Sequence, residues 1–519
     1  MTRPDTAKPL RSRFRILLIG PVFALAALLC WSIASPVGSS PDDDYHLSSI
    51  WCGLGERPGL CEAVPGDPGA RMVPAAAVKS ICFARKPVGA GCQLHPGVSG
   101  GADANPSTLI YTMRGNFNDH AYPPVYYAFM SIFASPNFAV SVVVMRAVNI
   151  LLFLAISTIL FLLLPRPRKS ALIWTWSITM VPLGIFLVAS TNPSAWAIIS
   201  AGTLFPAMLG YFESSGRRKI ALGVFSALAL AIGAGARADA AVYGIIAMGA
   251  ALILHVARTR RFWRDAILPF ALTLLAVGVY FSTGQSTIAT SGFGHHELAP
   301  QMSTFDLFVT NLTNLPSLWA GVLGTWGLGW LDTAMPAGVW VTTIAIFGAF
   351  AFVGLASANG RKLLTLALVF FAMIALPSWF LLQSKTTVGY EVQPRYIFPL
   401  IIIFAAVALV SVPGRRIRFT RVQLVVVAVA LTVANAFAMN ANMRRYISGV
   451  GQTDWNLNHS VGWWWNIPVS PMVVWAAGSL AFGIAITILL LGTSRLTREV
   501  ALADDAAGQP AIAPELSTR

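Results

Sequence analysis

The sequence predicts an all-α polytopic membrane protein with about twelve transmembrane helices and a large, disulfide-bonded extracytoplasmic loop after the first. Three observations predict it. The 519-residue chain is 56% hydrophobic and only 11% charged, too apolar for an ordinary soluble globule. Its apolar residues form blocks of roughly 17–25, the length a helix needs to cross the hydrocarbon core. Basic residues gather in alternate loops between the blocks, and four of the five cysteines share the first outside loop.

The blocks place spans near 16–35, 139–164, 171–189, 195–212, 220–236, 240–257, 266–282, 337–357, 363–382, 396–413, 422–440 and 471–492. The spans flanking Arg237 are short. The first block follows Arg11, Arg13 and Arg15 and ends at small residues, as a cleaved signal peptide would, but its length suits an uncleaved anchor.

A net charge of +15 could suggest nucleic acid, and its placement answers that. The clusters are Arg11, Arg13, Arg15; Arg166, Arg168, Lys169; Arg217, Arg218, Lys219; Arg258, Arg260, Arg261, Arg264; Arg361, Lys362; and Arg415, Arg416, Arg418, Arg421. All lie in alternate loops, so positive-inside bias puts both termini in the cytoplasm. The charge reports topology and anionic lipid, with no nucleic-acid partner.

Cys30 lies in the first span, while Cys52, Cys61, Cys82 and Cys92 lie in the first outside loop. An even number in an oxidising compartment reads as two disulfides. Of the three pairings, short local loops favour Cys52–Cys61 with Cys82–Cys92. The spacings do not suit a metal.

The resulting organisation is a cytoplasmic N-terminus (1–15), the first span (16–35), the disulfide-bonded loop (36–138) and spans two to seven (139–282). An outside interfacial segment (283–336) precedes the last five spans (337–492), which enclose an outside loop at 441–470. A disordered cytoplasmic tail (493–519) follows. The 283–336 segment carries an amphipathic stretch, Phe305 to Phe308, and a dense run from Trp326 to Trp330, suited to an interfacial or re-entrant helix. Cytoplasmic loops are short, so chemistry or binding belongs outside. No internal repeat supports a transporter built on inverted halves.

Pro41-Asp42-Asp43-Asp44-Tyr45-His46 follows the first span. Three adjacent carboxylates repel one another and raise at least one pKa unless a cation intervenes, which is how a general base is tuned. The same residues also read as an acidic first helical turn with Asp42 as N-cap. Asp119, His120, Tyr126 and Tyr127 precede the second span, the tyrosines fitting the interfacial belt. Arg114, Arg146, Arg237 and Arg395 stand at outer ends of spans, where a cation needs a partner. Asp239 suits Arg237, and a carboxylate on another helix suits Arg146. Arg395-Tyr396 lacks a neighbouring partner, so it reads either as a bidentate site for a lipid-borne phosphate or as a snorkelling side chain. Asn192-Pro193-Ser194 reads as a helix start, and His295-His296-Glu297 as a solvated cluster or a metal site. No nucleotide-binding loop or serine-hydrolase signature is present.

Taken together, these motifs resemble a bacterial membrane-protein family of unknown function predicted to belong to the GT-C glycosyltransferase superfamily. Pro41–His46 looks like its acidic pair followed by His, and Tyr122-Pro123-Pro124-Val125-Tyr126-Tyr127 like its Pro-Pro-x-Tyr-Tyr element. Gly324–Asp332 with Pro336 is similar to its Trp-Gly…Gly-Trp segment, and Gln393-Pro394-Arg395-Tyr396 with Pro399-Leu400 to its Gln-x-Arg-Tyr…Pro-Leu element. The resemblance implies a GT-C-like multi-pass glycosyltransferase of the bacterial plasma membrane. Its donor would be a polyprenyl-phosphate sugar and its acceptor a polysaccharide, lipid or protein of the cell envelope. An acidic residue of the first outside loop would be the base. Asp42 and Asp43 match by spacing to His46, and Asp44 is an extra carboxylate. Arg395, with Arg237 or Arg114, would hold the phosphate, and His46, Asp119, His120, Tyr126 and Tyr396 would line the substrate site. No cofactor is required by these residues; a divalent cation is the one candidate. Two other classes stay open: a lipid-linked saccharide flippase or exporter, which the scarcity of ionisable residues deep in the spans disfavours, and a noncatalytic scaffold binding a cell-wall partner. Fold analogy alone does not establish activity.

Overall fold

The computed structural model describes residues 11–94, 108–118, 121–287, 292, 302–390, 392–412, 417, 419–459 and 462–508. Helix α1 (Arg11–Ile33) opens the chain. The first loop then folds as α2 (Asp43–Trp51), β1 (Glu62–Val64), β2 (Asp67–Pro74), α3 (Ala75–Lys79), β3 (Leu109–Thr112) and α4 (Pro124–Ser131). The strands form an antiparallel sheet in the order β1-β2-β3, with Glu62 opposite Met72 and Arg71 opposite Thr112. Disulfides join Cys52 to Cys61, tying the end of α2 to the start of the sheet, and Cys82 to Cys92.

The bundle continues with α5 (Phe138–Leu163), α6 (Arg166–Thr179), α7 (Leu183–Val188), α8 (Ser194–Glu213), α9 (Gly216–Ala236), α10 (Ala238–His255) and α11 (Arg260–Phe281). Then come α12 (Thr304–Ala320), α13 (Ala337–Leu355), α14 (Gly360–Gln383), α15 (Pro394–Leu409), α16 (Arg421–Ser448) and α17 (Pro471–Gly508). Local chemistry sets many starts. Asn137 caps α5, Ser303 caps α12, Asn359 caps α14, and Thr420 with Gln423 forms a capping box on α16, each satisfying N–H groups the helix leaves open. Pro394 opens α15, where a missing N–H costs nothing.

Among the described residues, nine helices are long and apolar enough to cross a membrane: α5, α8 to α11, α13, α14, α16 and α17. The first and tenth expected spans are apolar but shorter, at Ile19–Ile33 and in α15. The third, expected as one helix over 171–189, is broken into α6 and α7 across Met180-Val181-Pro182, because proline supplies no N–H and clashes with a preceding helical turn. The tail expected to be disordered from 493 is helical through Gly508, as the continuation of α17; residues 509–519 lie outside the described residues. Helix α12 bears out the amphipathic stretch, with Phe305, Phe308, Val309 and Leu312 exposed and Leu307, Leu315 and Leu318 buried.

Helix α8 is buried on nearly all sides, as expected of a helix apolar all round. It is packed by α5, α9, α10 and α15. By contrast, α13 presents Val341, Phe352 and Leu355 outward, as hydrocarbon-facing helices do.

The stretch from the end of α1 to the start of α2 is irregular yet buried. Backbone in that state must find partners for its polar groups. Each carbonyl from Ser32 to Pro41 accepts a hydrogen bond, all but one from a side chain. Arg146 on α5 donates to Ser32 (2.6 Å), Ser35 (2.7 Å) and Pro36 (2.6 Å). Trp465 donates to Ile33 (2.7 Å), Asn442 to Ala34 (3.1 Å) and Gln93 to Val37 (2.7 Å). Trp330 donates to Gly38 (2.9 Å), Tyr446 to Ser39 (3.3 Å), and both Asn192 (3.0 Å) and Arg395 (3.1 Å) to Pro41. The Ser40 carbonyl receives the Asp43 N–H (3.2 Å). Arg146, expected to pair with a carboxylate, instead grips backbone oxygens, because the end of α1 offers three unsatisfied carbonyls beside it. Gly329 belongs to the same clamp: its φ of +60° is left-handed, and a Cβ there would collide with the Tyr446 hydroxyl, so only glycine fits.

Arg146→Ala should therefore leave three buried carbonyls without donors, at roughly 1–3 kcal/mol each. The expected outcome is a lower thermal midpoint and loss of monodisperse protein in detergent, with the exposed Arg217→Ala unchanged. A wild-type midpoint for Arg146→Ala contradicts the clamp.

Candidate active site

The clamped segment delivers the acidic triplet to the end of the bundle that carries the disulfide loop. Asp42 adopts a left-handed conformation (φ 59°, ψ 26°), a strained backbone state that Asp tolerates better than most residues. It stands at the N-cap position of α2, but its side chain caps nothing, which corrects the expected capping role. Its carboxylate turns instead to two guanidinium groups: Arg395 Nη2 donates to Oδ2 at 2.5 Å and Arg114 Nη2 to Oδ1 at 3.2 Å. Arg395 finds a carboxylate here across the fold, and its Nη2 also donates to the hydroxyl of the adjacent Tyr396 (3.0 Å).

The three carboxylates occupy different environments. The Asp42 side chain is 30% exposed and that of Asp44 11%, while Asp43 is fully buried. Asp43 accepts from the Ser40 N–H (3.0 Å) and the Thr191 hydroxyl (3.1 Å). Burial lifts its carboxyl to about 7, against the pull of the Arg146 charge and these hydrogen bonds. Burial also pushes Asp42 upward, but the charges around it, the Arg395 guanidinium foremost, hold it down at about 2. Asp44 accepts from Arg114 Nε through one oxygen; its other oxygen is buried and has no hydrogen-bond partner among the described residues.

His46 is buried, its Nδ1 2.9 Å from the Tyr127 hydroxyl. Desolvation lowers its pKa to about 3, with Arg395, Arg237 and Arg114 adding to the effect, so the ring is neutral at physiological pH. Tyr122 packs edge-on against it. Tyr126 and Tyr127, expected in the interfacial belt, are buried, because their hydroxyls serve the Asn149 amide (3.4 Å) and His46. Arg237 forms the local two-point pair with Asp239 (2.9 and 2.6 Å) and lies over the rings of Tyr122 and Tyr396. Such rings attract a cation.

Thus Asp42, Asp43, Asp44, His46, Arg114, Tyr126, Arg237, Arg395 and Tyr396, more than 350 residues apart at the extremes, form one cluster. Asp119 and His120 lie outside the described residues, as do His295, His296 and Glu297. Thr191 and Asn192 were not expected in the site. The Asn192 turn does start α8, its side chain accepting from the Ser194 N–H (2.9 Å), but its amide also fixes Pro41. Asn-Pro after an apolar run signals a turn, and nothing in that signal names its distant partner. Arg445 was missed for the same reason. It pairs with Asp332 (2.7 Å) and donates to the carbonyls of Val88, Phe83 and Lys86, locking the second disulfide loop to the Trp-Gly segment. For a dication the donor set fits poorly, since guanidinium groups already face Asp42 and Asp44; no group of three or more candidate metal ligands occurs among the described residues.

Residues 25–404 match the family described as "Predicted membrane protein (DUF2142)". The chain belongs to that family. The match takes in the acidic triplet, the tyrosines and Arg395, and ends before Asn442, Arg445 and Tyr446. No curated protein matches the chain in sequence. Among solved structures, it is similar to ArnT from Cupriavidus metallidurans bound to undecaprenyl phosphate (14% identity, 94% of this chain, 79% of that chain, TM-score 0.41). It is similar to the same protein in the apo state at 12% identity over the same shares, with a TM-score of 0.40. Both likenesses are distant.

Asp43 gives a pH signature. Its carboxyl takes up a proton at about 7 in the fold and at 3.8 ordinarily. As pH rises between those values the unfolded chain loses this proton first, so stability falls across the window. The thermal midpoint of wild type should decline from pH 4 towards about 7 more steeply than that of Asp43→Asn. Parallel profiles would contradict a buried, protonated Asp43.

Proposed function

We propose that this protein is an integral membrane glycosyltransferase that moves a sugar from a polyprenyl-phosphate donor to a hydroxyl of a cell-envelope acceptor on the extracytoplasmic face. The observation that carries the reading is Asp42, the most exposed carboxylate of the triplet, standing between Arg395 and Arg114. In this reading Asp42 is the base, and the cations for a phosphate leaving group stand beside it. The aromatic rings of Tyr122 and Tyr396 and the Arg237–Asp239 pair border the same place, and they offer stacking and hydrogen-bonding groups suited to a sugar.

In this reading the acceptor hydroxyl gives its proton to Asp42 while its oxygen attacks the anomeric carbon. The bond from that carbon to the phosphate oxygen breaks, and polyprenyl phosphate leaves with the electron pair. Arg114, with a side chain 52% exposed, faces the leaving phosphate, and Arg395 stays as the fixed partner of Asp42. A carboxylate held at about 2 is a weak base. Phosphate that draws Arg114 away from Asp42 raises the basicity of Asp42 at the moment it is needed. Asp43 and His46, both buried, position α2 and do not touch substrate. Electrostatic stabilisation by preplaced cations is the main contribution in this reading.

The test is transfer of label from radiolabelled polyprenyl-phosphate sugars in membranes. Asp42→Asn should lower transfer at least about 10²-fold, the scale of general-base loss, with normal insertion. Asp43→Asn should retain transfer, and Arg114→Gln should raise the apparent KM for the donor. Full transfer by Asp42→Asn would overturn the assignment of the base.

A further inference from the structure

Arg114 reaches the acidic cluster from the disulfide-bonded loop, just after β3, and its guanidinium meets both Asp42 and Asp44. A long, half-exposed side chain is aimed only as well as its backbone is fixed. Two anchors fix it. On one side the Arg114 N–H donates to Thr112 Oγ1 (3.0 Å), at the end of β3. On the other the Asn116 N–H donates to Ser49 Oγ (2.8 Å) on α2, and that hydroxyl donates to the Tyr45 carbonyl (2.6 Å). Between them Gly115 leaves room for Phe117: a Cβ at 115 would lie 2.3 Å from its ring, against which Arg71 of β2 is placed (5.6 Å). The Asn116 side chain adds a third tie. Its Nδ2 donates to the Tyr122 carbonyl (2.9 Å) while its Oδ1 accepts from the Tyr122 N–H (3.0 Å). One amide thus satisfies both backbone polar groups of residue 122, as a neighbouring strand would. The same Oδ1 also accepts from the Tyr45 hydroxyl (3.2 Å). Tyr122 in turn stands edge-on to His46, with the Arg237 guanidinium over its ring (5.7 Å).

Asn116 therefore joins α2, the turn that bears Arg114 and the backbone that bears the Tyr122 ring. We infer that Asn116 is a positioning residue of the donor site, which sets the separation of the Arg114 cation and the Tyr122 ring without touching substrate. The inference rests on the transferase reading, in which phosphate draws Arg114 away from Asp42. Once that contact loosens, the bond to Asp44 and the backbone beside Asn116 are what still aim the guanidinium. A sugar joined to a phosphate needs both groups at a set separation, the cation on the phosphate and the ring on the sugar. A misplacement of about 1 Å is enough to forfeit much of that gain.

The experiment measures transfer from a radiolabelled polyprenyl-phosphate sugar over a range of donor concentrations, with the full chain in membranes. Asn116→Ala should raise the donor KM about tenfold and leave kcat within about threefold. Loss of folded protein would instead lower the maximal rate and leave KM alone. Ser49→Ala, which removes the acceptor of the Asn116 N–H and keeps the amide, should raise KM by a smaller factor. In Asn116→Ala/Arg114→Gln the rise in KM should fall at least about threefold short of the product of the two single effects, because one residue acts through the other. Hydrogen exchange at the Tyr122 N–H should quicken in Asn116→Ala and not in Arg114→Gln. If Arg114→Gln raises the donor KM, wild-type KM in both Asn116→Ala and Ser49→Ala, or effects that simply multiply in the combined variant, would overturn the positioning role alone. A wild-type donor KM in Arg114→Gln would overturn the phosphate contact, and this inference with it.

Discussion

The structure depends on one buried, irregular run of backbone, from Ser32 to Pro41. A chain leaving a membrane helix normally reaches water and lets solvent satisfy its carbonyls. Here the chain stays inside, so every carbonyl needs a donor from elsewhere. Those donors come from α5, the turn before α8, α15, α16, the disulfide loop and the Trp-Gly segment. Elements far apart in sequence thereby converge on ten residues, and the convergence fixes the position of Asp42. A left-handed Asp at the end of this run is a strained residue that its surroundings over-determine, the condition under which strain persists at functional sites.

The convergence also separates the roles of the three carboxylates. Asp43 points into the protein, where loss of water favours its neutral form. Asp42 is the most exposed of the three, and Arg395 and Arg114 favour its ion. Asp44 shares Arg114 and anchors the loop that bears it. Adjacent residues in a helix start necessarily face different ways, so a triplet that looks redundant as sequence divides into one buried, one bridging and one presented group. His46, kept neutral by burial, belongs with Asp43 as a support.

Much of this was legible in the sequence, and the boundary is physical. Apolar blocks and basic loops report the exchange of water for lipid, a local property, so the spans and the disulfide loop could be read directly. The third span shows the limit: its hydropathy was right, and Pro182 broke the helix. In the site, Asp42, Arg395, Arg237 and the tyrosines could be nominated because charges beside apolar spans need a reason. Their partners could not, since Arg146 serves carbonyls, which carry no sequence signature, and Arg395 meets a carboxylate from the other end of the chain. Asn192, Asn442 and Arg445 sit in unremarkable turns and helix ends, and only the folded path of residues 32–41 gives them work.

The central claim is that this clamped strand presents Asp42 to a lipid-linked sugar. Its most direct measurement is a cryo-EM structure of Asp42→Asn with a polyprenyl-phosphate sugar bound. The account predicts density for the sugar with its anomeric carbon beside residue 42, the phosphate against Arg114, and the Ser32–Pro41 carbonyls still bonded to their side-chain donors. Donor density remote from residue 42, or a strand released from Arg146 and Trp330, would contradict it.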